Sequence, residues 1–64
     1  MTDEYERKAT AAVERMRRRF PDATVDDIAS IALCNPRQLD EAVVAIADAE
    51  TLDALRVELT RILA

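Results

Sequence analysis

No glycine occurs at any of the 64 positions of this chain. Glycine reaches left-handed backbone geometry without a steric penalty. Its absence therefore removes the tight turns of β-hairpins and the usual left-handed helix C-cap. Only two prolines are present. The chain reads as helices joined by short connections and closed by residues other than glycine. The same absence removes a glycine-rich phosphate loop and the EF-hand turn.

Composition then bounds the core. Half of the residues are apolar, but twelve of them are alanine. Alanine favours helix and buries little area. Leucine, isoleucine and valine must fill most of the interior, with Tyr5 and Phe20 as the only aromatics. A chain this short buries roughly 60% of its unfolded surface, so one helical domain over residues 1–64 is predicted, with little room for a catalytic cleft. No apolar run approaches the ~18 residues of a membrane span, and no membrane partner is expected. The start, Met1-Thr2-Asp3-Glu4, is acidic with no apolar stretch behind it, and does not read as a signal peptide. Cys34 is the only cysteine. An intrachain disulfide is excluded, and a reducing, cytoplasmic setting is expected.

Caps and periods predict four helices. The first runs from Glu4 to Arg19, with Asp3 as cap and Glu6 as its capping-box partner. Tyr5, Ala9, Ala12, Val13, Met16 and Phe20 form its apolar stripe, and Phe20-Pro21 ends it. The second spans Val25 to Leu33, capped by Thr24 with Asp27 at the third position. Its inward candidates are Val25, Ile28, Ala29, Ile31 and Ala32. Asn35-Pro36 is the sharpest boundary, with Asn35 as cap, Pro36 at the first helical position and Gln38 at the third. That third helix runs to about Ala47 and buries Leu39, Ala42, Val43, Ile46 and Ala47, leaving Val44 off the stripe. Thr51 caps a fourth helix ending near Leu63, whose stripe is Leu52, Leu55, Leu59 and Ile62. Val57 and Leu63 widen or leave it. This face either closes the bundle's own core or forms part of a dimer interface. Cys34 reads as a small buried thiol.

Formal net charge is −4, unevenly divided: residues 1–20 carry +2 and residues 21–64 carry −6. The basic excess lies in Arg15, Arg17, Arg18 and Arg19. There it complements the negative end of the first helix or supplies a partner-binding patch. One cysteine and no histidine cannot make a usual zinc set or a histidine-based nucleophile. Carboxylates such as Asp40-Glu41 and Asp48…Glu50 are plentiful, but without a cleft they carry no catalytic reading. No cofactor, no metal and no enzymatic activity are expected.

The spacing around Ile28-Ala29, Leu33-Cys34-Asn35-Pro36, Leu39 and Ala42 allows a helix-turn-helix reading, with Arg37 and Gln38 facing base edges. Asp40 and Glu41 follow directly and would meet phosphates, so nucleic acid is disfavoured as a partner.

Residues 16–47 resemble the ubiquitin-associated superfamily, particularly the CUE type. The likeness lies in Met16-Arg17-Arg18-Arg19-Phe20-Pro21-Asp22-Ala23, then Val25…Ile28…Ile31, then Leu39-Asp40-Glu41-Ala42-Val43-Val44-Ala45-Ile46. It implies a compact three-helix core, to which the fourth helix is appended. It also implies partner binding at Phe20 and Pro21, with Arg19 where the family has methionine. The family's leucine pair falls near Ile46-Ala47. Read from the residues alone, Phe20 is equally a core plug at the helix end.

The expectation is an all-α, compact three- to four-helix bundle acting as a noncatalytic protein-interaction domain, an adaptor or regulatory subunit. Docking is expected through Phe20, Pro21, Leu55, Leu59 and Ile62, with Arg17 and Arg18 at the rim, onto a protein partner or a second copy. The alternatives are a small DNA-binding regulator and an acidic blocker of a nucleic-acid-binding protein. The blocker would be built on Asp26, Asp27, Asp40, Asp48, Asp53 and Glu58.

Overall fold

The computed structural model describes residues 4–64. Among the described residues four α-helices follow one another: α1 (Glu4–Arg19), α2 (Val25–Ala32), α3 (Pro36–Asp48) and α4 (Leu52–Leu63). The expected cap Asp3 lies outside the described residues. Leu33 caps α2 instead of continuing it, and α3 extends through Asp48.

The helix starts are set locally. Asn35 accepts the Gln38 backbone N–H at 2.8 Å, and the Gln38 side chain takes the Asn35 N–H at 2.9 Å. This closed capping box sits around Pro36, whose missing N–H costs nothing at a first helical position. Thr51 accepts the Ala54 N–H at 3.1 Å. At α2 the Asp27 carboxylate reaches back to the Thr24 N–H at 2.9 Å, and the Thr24 hydroxyl donates to the same oxygen at 3.2 Å.

The helix ends are set by tertiary contacts. No described residue has positive φ, so no helix closes through a left-handed residue. Helix C-termini leave carbonyls without partners inside the helix, and here distant side chains supply donors. The Tyr5 hydroxyl, in the first turn of α1, lies 3.1 Å from Ala32 O and 2.5 Å from Cys34 O. The Arg19 guanidinium donates to Ile46 O and, at 2.8 Å, to Ala47 O in the last turn of α3. The Gln38 amide donates to Ile62 O at 3.1 Å, near the end of α4.

Those bonds also fix the arrangement. The start of α1 lies by the end of α2, the end of α1 by the end of α3, and the start of α3 by the end of α4. Helices α1 and α4 each pack on both α2 and α3, which closes a ring of four. The radius of gyration is 10.7 Å, matching the ~11 Å of a compact chain of this length. Met16, Ile31, Leu39, Ile46 and Leu55 are the large side chains fully withdrawn from solvent.

Several expected core positions are corrected. Val25 is 80% exposed, and Ala29 and Ala32 also face out. Helix α2 is only eight residues long, so its buried arc narrows to Asp27 and Ile31, with Ile28 half-buried beside them. In α3, Ala45 is buried and Ala47 exposed. Helix α4 and the corner after α3 cover the Ala45 side. Ala49, expected in a break, is buried at that corner.

Candidate functional site

The expected docking residues are divided by the fold. Leu55, Leu59 and Ile62 are buried in the same core cluster as Phe20, which is 8% exposed. The apolar stripe of α4 thus closes the chain's own core, the first of the two roles its spacing allows. The Phe20 ring plugs the end of α1, with the Arg19 guanidinium 5.0 Å from its centroid. Side chains used in this way have little apolar area left to offer a partner. Arg17, Arg18 and Pro21 are exposed. Arg19 is set apart from its basic neighbours by its work at the end of α3.

The other expected sites fare differently. Gln38 is half-buried, with its amide holding both a helix cap and the end of α4. Helices α2 and α3 each pack chiefly on α1 and α4, which is not the mutual packing of a helix-turn-helix. Of the acidic positions, Asp40 pairs with Lys8 at 3.2 Å across α1 and α3. Asp27 is an interior group. Arg56 clamps it from α4, Nε to Oδ1 and Nη2 to Oδ2, each at 2.9 Å. The Arg56 hydrogen bonds, helped by the Thr24 N–H, outweigh burial and hold the Asp27 pKa at about 2. In turn Arg56 is pushed up by its bond to Asp27. Burial also pushes the Cys34 thiol up, away from a reactive thiolate.

Asp48 and Glu58 come together. They line an open groove of about 720 Å³ between α3 and α4. Glu41, Val44, Ala45 and Asp48 form its α3 side, at helical spacings of three and four. Thr51, Ala54, Glu58 and Arg61 form the α4 side, and Ala49 and Glu50 the corner. The exposed apolar lining is Val44 and Ala54, over the buried Ala45 and Ala49, with carboxylates around it. Val44 is 59% exposed. Four acidic side chains face a single guanidinium, that of Arg61, which hydrogen-bonds Glu58 on its own helix. The Glu58 bond, then the charges of Glu58 and Glu41, push the Arg61 pKa up.

The sequence signal for this groove was Val44, off the buried stripe and flanked at helical spacing by Glu41 and Asp48. Among the described residues, no group of three or more histidine, cysteine or acidic side chains is placed to hold a metal ion. No described helix is long and apolar enough to cross a membrane. Comparison with family models, with curated proteins and with solved structures finds no match. The geometry alone carries the functional reading.

Proposed function

We propose that the chain is a noncatalytic protein-interaction domain, an adaptor or regulatory subunit, that docks a protein partner on its α3–α4 face. One observation carries this reading: an open groove whose apolar lining includes a largely exposed valine, Val44, inside a rim of carboxylates. Apolar contacts surrounded by charge are the anatomy of a protein interface, in which the lining contributes affinity and the rim orientation. The surface differs from the one the sequence pointed to, because Leu55, Leu59 and Ile62 serve the interior. A reducing, cytoplasmic setting suits the unpaired, buried Cys34.

Val44→Arg places a long cation across the groove. Leu33→Arg makes the same change on another exposed apolar residue outside it. Each variant is first checked for unchanged helicity. Immobilised wild-type protein is expected to retain a protein partner that V44R loses and L33R keeps. Equal retention by all three, or loss only in L33R, overturns the assignment of the docking face.

A further inference from the structure

We propose that the occupant of the α3–α4 groove is a basic amphipathic helix of a protein partner, with lysines or arginines against the carboxylate rim and small apolar side chains over Val44. This rests on the docking face proposed above and adds the chemistry of what docks there.

Charge selects the sign of the partner. Glu41, Asp48, Glu50 and Glu58 surround the groove, and Arg61 is bound to Glu58. A cleft lined by one sign of charge over low-dielectric walls concentrates its field, so it draws cations and repels phosphate. A nucleic-acid backbone is thereby disfavoured, and a basic polypeptide favoured.

Shape selects a helix. Two helix flanks frame the groove, the geometry in which an amphipathic helix lays down its apolar face. No sheet edge exists among the described residues to pair an extended strand. The α3 side of the groove runs from Glu41 to Asp48, about 10 Å at ~1.5 Å per residue, so two turns of a partner helix would span it. Glu41 and Asp48 lie two turns apart on one face, and cations two turns apart on the partner meet both.

The probe is a fluorescently labelled amphipathic peptide of about fourteen residues, with lysines flanking an Ala/Leu face at helical spacing. Two controls accompany it: the same peptide with glutamate for lysine, and a scramble of equal charge without amphipathicity. Fluorescence anisotropy reads binding to the full chain. The basic amphipathic peptide is expected to bind, with the scramble about tenfold weaker and the acidic peptide not binding. Raising salt from about 50 to about 500 mM is expected to weaken binding roughly tenfold.

The combined variant E41Q, D48N, E50Q and E58Q is expected to lose binding by about tenfold or more while remaining helical. An equal loss of charge outside the groove, through D22N and D26N with E4Q and E6Q, is expected to stay within about twofold of wild type. Equal weakening by both sets, or equal binding of the scramble, overturns the proposal by reducing it to general charge attraction. Failure of the peptide to bind also overturns it. If a partner is then still lost in V44R, the docking face survives and only the chemistry of its occupant falls. Sedimentation that shows self-association, abolished by R17E and R18E, overturns it in favour of a second copy in the groove.

Discussion

Asp27 has two partners of different kinds. Thr24 ties it to the start of its own helix, and Arg56 ties it to α4 through Nε and Nη2, each at 2.9 Å. The residue is 5% exposed, so its charge stands or falls with those donors. Its pKa is lowered from 3.8 to about 2. A lowered carboxylate pKa contributes stability that is complete above the unfolded value and is lost as pH falls through the folded one. The contribution is about 2 kcal/mol above pH 4. Asp27→Asn is therefore expected to unfold at lower urea than wild type at pH 6, with the difference shrinking as pH falls towards 2. A difference that stays constant across that range would show that Asp27 contributes through shape alone.

At the scale of the helix, starts and ends have different origins. Asn35, Pro36 and Gln38 carry the start of α3 within four positions, and Thr51 carries that of α4 by itself. The ends depend on residues far along the chain: Tyr5 for α2, Arg19 for α3 and Gln38 for α4. Arg19→Met keeps most of the side chain's length and its contact with Phe20 but leaves two α3 carbonyls without their donor. The expected loss is about 1 kcal/mol, read by urea denaturation, with faster amide exchange in the last turn of α3. Unchanged exchange there would mean that water replaces the guanidinium at no cost. The starts of α2, α3 and α4 were legible in the sequence, because caps act over three or four positions. Which arginine of the basic run would serve α3 was not legible. Arg17, Arg18 and Arg19 have the same chemistry, and only the packing of α1 on α3 distinguishes them.

The whole molecule has a small margin. A domain of this length is stable by roughly 3–10 kcal/mol, and truncating one fully buried leucine costs about 2–5 kcal/mol. Leu39→Ala, in the middle of the ring of helices, is expected to lower the thermal midpoint by 10 °C or more, at ~4–8 °C per kcal/mol. Val57→Ala, on an outward-facing side chain, is expected to shift it by less than about 4 °C. Circular dichroism during heating checks both. Equal shifts would mean that the core lies elsewhere than the ring places it.

Local sequence dictates the class of fold, the helix order, the starts of α2, α3 and α4, and most of the apolar faces. These follow from periodicity and from caps, which are properties of neighbouring residues. Glycine's absence also determined that no helix would close through a glycine in left-handed geometry. Tertiary structure alone decided what closes them instead, and it decided where each apolar face points. The stripe of Leu55, Leu59 and Ile62 has the same spacing whether it meets its own core or another chain. Its direction depends on which neighbours surround α4. The groove is of the same kind: Glu41, Val44 and Asp48 share one helix face by spacing, but they meet Glu58 and Arg61 only because α3 and α4 pack side by side. Long-range packing sets that pairing, and no local window of the sequence contains it.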